Sequence, residues 1–167
     1  FDLAQLPSSF SSFRKKMEKN LAISSILQSP PNINTFKIKN SPIPTLKELG
    51  FIDIAKDERS VVNFQGVETV AKDRLQEWIG EKDCIATYLK NRNGMMGSDY
   101  SSKFSPWFST GCISRRYIYE QVRNYEIERV ANSSTYWLIF ELLWHGYFKF
   151  LGLKDGSKLF HPAGLKF

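Results

Sequence analysis

The stretch NSSTYWLIFELLWHGYFKFL, residues 132–151, decides the fold because it is apolar on nearly every side of a helix. Its first three residues, Asn132, Ser133 and Ser134, are typical of an N-cap, so the sequence predicts a helix from Thr135 to about Leu151. A helix without a polar face has to be surrounded by other helices, which places it at the centre of its domain. Polar side chains interrupt the run at four-residue spacing, which favours a buried core helix over a membrane span. They are Glu141, His145 and Lys149.

Further helices are predicted from apolar spacing and from helix start and stop signals. Ser114 is typical of an N-cap, and Ser105 followed by Pro106 predicts an N-cap and a first helical residue. Residues 61–64 are too short an extended segment to form a sheet. The predicted fold class is therefore all-α. The predicted helices lie at residues 9–19, 68–79, 82–91, 114–131 and 135–151, and a further helix begins at residue 106.

The N-terminal part of the chain indicates an arm that precedes a helical domain. Phe10, Phe13 and Met17 form an apolar stripe on the first predicted helix, so this helix needs a partner surface. Residues 29–44 are rich in proline and show little periodicity, which predicts an extended connector. We therefore predict an N-terminal helix and connector at residues 1–60 and a helical domain at residues 61–167.

Composition and charge narrow the classes of protein. A hydrophobic content of 42% supports a core and excludes a disordered tail. A net charge of +6 and a pI near 9.3 favour polyanionic partners such as nucleic acid or phosphate cofactors. Cys84 and Cys112 fit neither a disulfide framework nor metal-ligand spacing, so we expect a reduced, intracellular setting. His145 and His161 lack a second ligand pattern, so no metal site is predicted.

The segment DYSSKFSPW, residues 99–107, gathers short hydroxyl side chains and a lysine just before a predicted helix. Hydroxyl and backbone donors at such a place hold phosphate or pyrophosphate. The alternative is a solvated loop with a single N-cap. No P-loop or Rossmann glycine pattern occurs in the sequence, so a nucleotide would be held in another way. The candidate donors are Ser101, Ser102, Lys103 and Ser105.

Glu141 is a carboxylate on the most apolar helix and persists there only if other groups donate hydrogen bonds to it. Trp144 and His145 follow three and four residues later, so we expect them to share its face and point into one cavity. A stacking ring beside an acceptor suits a flat heterocycle. The alternative is that Glu141 pairs with Lys149 or a nearby arginine and that Trp144 belongs to the core.

The predicted helix at residues 114–131 interleaves arginines with tyrosines, a pattern that suits a nucleic-acid backbone and its bases. The alternative is a solvated face whose arginines pair locally with Glu120, Glu126 and Glu128. The basic and aromatic residues are Arg115, Arg116, Arg123, Arg129, Tyr117, Tyr119 and Tyr125.

Three stretches together resemble one family. RNGMMGSDYSSKFSPWFSTGCIS (92–114) and YEIERVANSSTYWLIFELLW (125–144) resemble the photolyase/cryptochrome superfamily, specifically its cryptochrome-DASH branch. FQGVETVAKDRLQEW (64–78) is similar to the start of that family's helical FAD-binding domain, and the proline-rich arm is similar to the connector before it. The resemblance is strongest at residues 64–150. It implies a partial helical bundle of the FAD-binding domain, preceded by an extended arm.

The resemblance also implies roles for individual residues. Ser101 to Ser105 match the segment that cradles the FAD pyrophosphate, and Tyr88 matches a further flavin contact. Glu141 matches a catalytic glutamate that lies beside the cofactor and, with Trp144, meets a flipped pyrimidine dimer. The implied cofactor contacts are Tyr88, Ser101, Ser102, Lys103, Phe104, Ser105 and Glu141. The implied substrate contacts are Glu141, Trp144 and His145.

The function that the resemblance implies is light-driven repair of cyclobutane pyrimidine dimers in single-stranded DNA, blue-light photoreception, or both. The implied partner is DNA, and we expect a monomer that does not associate with a membrane. The chloroplast, the mitochondrion, the nucleus and the cytoplasm all stay open as compartments. A folate-type antenna pigment belongs to longer members of the family, and we expect its site to lie outside this chain.

The chain departs from the family pattern at four positions. His145 and Gly146 stand where an arginine and an acidic residue are usual, Val67 where a glycine is usual and Arg115 where a proline is usual. The chain also lacks the antenna domain and the later helices of the family, so we expect an incomplete pocket, FAD binding that is weak or absent, and no photochemistry by the chain alone. The alternatives are a non-enzymatic module that binds single-stranded nucleic acid and a decayed, inactive sequence.

Overall fold

The computed structural model describes residues 2–20, 22–28, 30–32, 42–52, 57–62 and 64–165. These residues form helices and contain no strand, which confirms the predicted all-α class. Short 3-10 turns lie at Leu3–Gln5, Cys84–Thr87 and Gly156–Phe160, and a π-helical turn lies at Gln76–Glu81. The α-helices are α1 (Phe10–Asn20), α2 (Glu68–Leu75), α3 (Tyr88–Asn91), α4 (Ser105–Ser109), α5 (Arg115–Glu128) and α6 (Ser133–Asp155).

Helix α6 is the central element and begins at a capping box. The Asn132 side chain accepts hydrogen bonds from the backbone N–H groups of Ser134 and Thr135, and the Thr135 hydroxyl accepts one from the Asn132 N–H. Helices α1, α3 and α5 all pack against α6. It ends at Asp155 rather than near Leu151, because the chain first leaves the helical conformation at Gly156, whose φ is +53°.

The larger of two apolar cores lies between α6 and the helices α2 to α5. Its deeply buried side chains include Trp78, Phe104, Trp107, Ile118 and Val122. Indole N–H groups in this core need acceptors, and Trp107 Nε1 donates to the Gln65 carbonyl at 2.7 Å. This hydrogen bond therefore joins α4 to the segment that precedes α2.

The smaller core joins α1 to another face of α6. Phe10 and Phe13 of the predicted apolar stripe are buried against Tyr147, with Leu6 beside them. Phe10 stacks on Trp144 with ring centroids 3.6 Å apart and an interplanar angle of 12°. The partner surface that the stripe of α1 required is therefore α6.

Further helix boundaries differ from the sequence prediction: the segment predicted at residues 82–91 is a 3-10 turn at Cys84–Thr87 followed by α3, and α5 ends at Glu128 rather than near residue 131. The helix predicted at residues 68–79 leaves the α-helical pattern after Leu75 and continues as the π turn through Glu81. A Cβ on Gly80 would lie 2.6 Å from Gln76 Nε2, so the glycine leaves room for that side chain. Ser105 is not the N-cap of α4: Phe104 occupies that position, and Pro106 is the second residue of the helix.

The arm is only partly described. Thr45 and Glu48 form the reciprocal hydrogen bonds of a capping box, and Gly50 follows with a φ of +84°. Most of the connector predicted at residues 29–44 lies outside the described residues. Among the helices that are described, none is long and apolar enough to cross a membrane.

Candidate functional site

The serine-rich loop before α4 and the middle of α6 enclose a hollow of about 390 Å³, which we call the serine hollow. The wall contributed by the loop carries hydroxyl groups and the Lys103 side chain, whereas α6 contributes the apolar Leu138 and Leu142 and the carboxylate Glu141. The hollow therefore combines polar and apolar lining residues. Its lining residues are Tyr88, Ser101, Ser102, Lys103, Phe104, Ser105, Phe108, Leu138, Glu141, Leu142 and His145.

The loop bends sharply at Lys103, whose φ is +59°. A side chain in this left-handed region costs about 1 kcal/mol relative to the ordinary conformation, and such costs are found mainly where the backbone serves a ligand or a switch. The next residue, Phe104, has a φ of −78° and is buried in the larger core. The anchored ring of Phe104 thus holds the strained turn in place.

Arg74 of α2 holds the loop from its inner side. Its side chain is only 5% exposed. Its guanidinium donates to the Ser98 carbonyl at 2.6 Å and lies 3.5 Å from the Ser101 carbonyl. Trp78 Nε1 donates to the Asp99 carbonyl at 3.0 Å. Three successive contacts therefore turn loop carbonyls toward α2.

The direction of these carbonyls decides where the loop N–H groups point. In a trans peptide the C=O and the following N–H point in opposite directions, and none of the described peptide bonds is cis. The N–H groups of Asp99, Tyr100 and Ser102 therefore point away from Arg74 and Trp78. An outward row of N–H groups is the arrangement that binds anions.

The carboxylate of Asp99 ties the loop to the end of the π turn. Burial alone would raise the pKa of Asp99, but hydrogen bonds from Ser98 and Lys82 hold it below its usual value. Lys82 Nζ lies 3.1 Å from Asp99 Oδ2. The loop is thus anchored by an ionised carboxylate at neutral pH.

Tyr88 contributes a phenol that stays protonated. Burial, followed by the nearby Glu141 carboxylate, raises the pKa of Tyr88 to about 12. Its ring packs edge-on against Trp78 with centroids 5.3 Å apart. A rigid neutral hydroxyl of this kind donates a hydrogen bond at any physiological pH.

Glu141 stands between the serine hollow and a second hollow. Its Oε1 accepts from Trp137 Nε1 at 3.0 Å and from Arg92 at 3.2 Å. The sequence interpretation in which Glu141 pairs with a nearby arginine rather than Lys149 is thus the one that the structure shows. The second hollow, of about 330 Å³, we call the tryptophan hollow. It is lined by Arg92, Trp137, Phe140, Glu141, Trp144 and Phe148.

Trp144 and His145 do not share one cavity, so that prediction is wrong. Adjacent residues on an α-helix are about 100° apart around its axis, and the two side chains therefore face different sides of α6. Trp144 lines the tryptophan hollow, whereas His145 lines the serine hollow. Phe10 covers one face of the Trp144 indole.

The basic helix α5 offers less to a nucleic acid than its sequence suggests. Tyr125 is buried, and its hydroxyl donates to Asp83 Oδ1 at 2.6 Å. Arg129 pairs with the same carboxylate, and Arg123 pairs with Glu126. Of the local pairs that the alternative names, the structure therefore shows Arg123 with Glu126, whereas Arg129 follows α5 and pairs with Asp83.

Sequence reasoning missed Arg74 and Arg92, which organise the site without lining the serine hollow. Both contact residues that are distant in sequence, so no local spacing marks them. Within the described residues, no group of three or more histidine, cysteine, aspartate or glutamate side chains is placed to hold a metal ion.

The chain is similar to known proteins over nearly its whole length. It is 46% identical over 167 residues to a cryptochrome DASH of Gloeobacter violaceus, covering 99% of this chain and 33% of that protein. It is 45% identical over 163 residues to a cryptochrome DASH of Danio rerio, covering 96% of this chain and 31% of that one. A relative from Arabidopsis thaliana, 43% identical over 166 residues, covering 98% of this chain and 29% of that protein, is named cryptochrome DASH, chloroplastic/mitochondrial. No model of a known protein family matches the chain.

Comparison with solved structures gives the same class of protein as comparison of sequences. A crystal structure of a Synechocystis sp. PCC6803 cryptochrome matches with a TM-score of 0.86 and 44% identity, covering 98% of this chain and 34% of that one. The described helices are thus those of the helical FAD-binding domain of the cryptochrome/photolyase fold. Within that class, the chain belongs to the cryptochrome-DASH family. It spans about a third of the length of the relatives that it matches.

Proposed function

We propose that this chain forms one wall of an FAD pocket in a cryptochrome-DASH flavoprotein. The same wall would receive a pyrimidine dimer in single-stranded DNA, for light-driven repair, for blue-light photoreception, or for both. The observation that carries the proposal is the position of Glu141, which lines both the serine hollow and the tryptophan hollow. One carboxylate between two hollows can contact a cofactor on one side and a substrate on the other.

The serine hollow fits part of FAD by the chemistry of its donors. The serine hydroxyl groups, the Ser102 N–H and Lys103 suit a pyrophosphate, and the Arg74 contacts hold the loop that carries them. Phe104, Phe108 and Leu138 also line the hollow and suit a flat ring. When bound, FAD supplies light-driven electron transfer, the chemistry by which a cyclobutane ring is opened.

The residues of the chain itself would bind and orient the cofactor and the substrate. Ser101, Ser102 and Ser105 would donate to phosphate oxygens, and the Tyr88 hydroxyl, which does not ionise near neutral pH, would donate without adding charge. Glu141 already accepts two hydrogen bonds at Oε1, so its position is fixed and a carboxylate oxygen can accept from a pyrimidine N–H. Trp144 and Trp137 line the tryptophan hollow, which would receive the base.

The test is dimer repair by the longest natural polypeptide that contains these residues, loaded with FAD. Blue light should restore a single-stranded oligonucleotide that carries one thymine dimer. Glu141→Ala should slow this repair by about ten- to a hundredfold while the flavin absorbance stays unchanged. Glu128→Ala, an exposed glutamate on α5, is the matched control and should repair normally. Equal repair by both variants would remove Glu141 from the proposed role.

A further inference from the structure

Arg115 and His145 contact each other although they lie on different helices. Arg115 is the first residue of α5, and its guanidinium lies 2.7 Å from Nδ1 of His145 on α6. Phe108 packs beside the imidazole with ring centroids 5.4 Å apart. Both partners of this contact stand where the chain departs from the pattern that it resembles.

The contact determines which ring nitrogen carries the proton. A guanidinium has donors and no acceptor, so Nδ1 has to be the acceptor and is therefore unprotonated. The neutral imidazole then carries its hydrogen on Nε2, the nitrogen at the far end of the side chain. A doubly protonated ring has no acceptor, so protonation of His145 and this hydrogen bond exclude each other.

The surroundings favour the same neutral form. Burial, and then the charges of Arg115 and Lys149, lower the pKa of His145. Arg116 and Lys149 line a further hollow on the other side of His145, and Lys103 lines the serine hollow. Glu141, one turn earlier on α6, is a nearby carboxylate, and its Oε1 accepts from Arg92 and Trp137.

We propose that Arg115 is a positioning residue that holds His145 as a neutral imidazole with its proton on Nε2, so that His145 serves as a hydrogen-bond donor to the ligand of the serine hollow. The donor role rests on the proposed function, because it takes the ligand to be FAD or another molecule with acceptor atoms. The tautomer does not depend on that function. The proposal predicts a donor that resists protonation because protonation would break the contact with Arg115.

The first experiment measures the tautomer in the ligand-free chain. The sequence has two histidines, so long-range proton–nitrogen NMR of a chain labelled with 15N-histidine gives two ring patterns, and His145→Gln identifies the one from His145. We expect an unprotonated Nδ1 and a protonated Nε2. Arg115→Leu should give mixed tautomers and a higher pKa of His145. A pattern that is the same in the wild type and in Arg115→Leu would overturn the proposal.

The second experiment measures FAD affinity by NMR titration. Arg115→Leu and His145→Gln should each weaken binding by about threefold to tenfold. The affinity of the wild type should change less with pH than that of Arg115→Leu, in which protonation of His145 no longer breaks a contact with Arg115. Arg115→Lys keeps the charge and a donor and should restore most of the affinity. If FAD binds but Arg115→Leu alters neither affinity nor pH dependence, the donor role is wrong.

These two measurements separate two kinds of failure. If the ligand-free chain shows the predicted tautomer but FAD does not bind even to the longest natural polypeptide that contains these residues, the proposed function fails and the positioning of His145 by Arg115 stands. If FAD binds at the serine hollow but the tautomer is not the predicted one, the proposed function stands and the positioning role fails.

Discussion

The guanidinium of Arg92 lies 3.2 Å from Glu141 Oε1, although the two residues are 49 positions apart in sequence. It also stands over the Trp137 ring, with its central carbon 4.8 Å from the ring centroid. The ring and the carboxylate are thus held by the same cation. Glu141 is fixed from the side of the tryptophan hollow and not from the serine loop.

We expect Arg92→Leu to lower the free energy of unfolding by about 1 kcal/mol, because each partner of this ion pair keeps about a third of its surface exposed. Urea unfolding of Arg92→Leu, Glu141→Gln and the double variant gives the coupling energy. The coupling should be about 0.5–1 kcal/mol. A coupling of zero would mean that the pair does not hold Glu141.

The contacts of Arg74 with the loop carbonyls give a second prediction. Arg74→Met leaves buried carbonyls of the loop without a donor and should cost about 2 kcal/mol of stability. Lys72→Met on the same helix removes an exposed ion pair with Glu68 and is the matched control, with an expected cost below about 1 kcal/mol. If the two variants lost the same free energy of unfolding, the proposed role of Arg74 in holding the loop would be wrong.

The pKa of Tyr88 gives a prediction at high pH. The folded protein holds this phenol protonated to about pH 12, whereas an unfolded tyrosine ionises near pH 10. The folded state therefore binds more protons between these values, and stability should fall as the pH rises through them. Tyrosinate absorbance should show a late step from Tyr88 and Tyr125, which also has a pKa of about 12. If Tyr88→Phe leaves that step unchanged, the assignment is wrong.

Gly146 gives a prediction about α6 itself. A Cβ at this position would meet no atom within 4 Å, so Gly146→Ala should raise the free energy of unfolding by about 0.5–1 kcal/mol. Gly111 is the control, because it has equal space but a φ of +74°. Gly111→Ala should destabilise the protein by about 1 kcal/mol. Chemical denaturation of the two variants should therefore give changes of opposite sign.

The sequence predicted the helices because apolar spacing and caps are local signals. Asn132 and Ser114 cap α6 and α5 as expected. The helix boundaries that the sequence did not predict depend on packing. The N-cap of α4 is Phe104, whose ring is buried in the core, and not Ser105. The π turn after α2 has no periodic signature that distinguishes it from an α-helix.

The sequence pattern predicted less of the candidate site than it predicted of the fold. The roles expected for Ser101, Tyr88 and Glu141 came from a family resemblance, and they stay predictions until a ligand is measured. Arg74 looks like any polar residue of a surface helix in the sequence, yet it is buried under the loop. Contacts between distant segments leave no mark in local spacing.

The central claim is that the serine hollow binds FAD, and backbone NMR of the chain titrated with FAD tests it most directly. Even weak binding, with a Kd on the order of 1 mM, is visible by this method. The account predicts shifts centred on Ser101 to Ser105, Tyr88, Glu141 and His145, and smaller shifts in a Ser101→Ala and Ser102→Ala double variant. Shifts that spare these residues and centre on another surface such as α1 would contradict it.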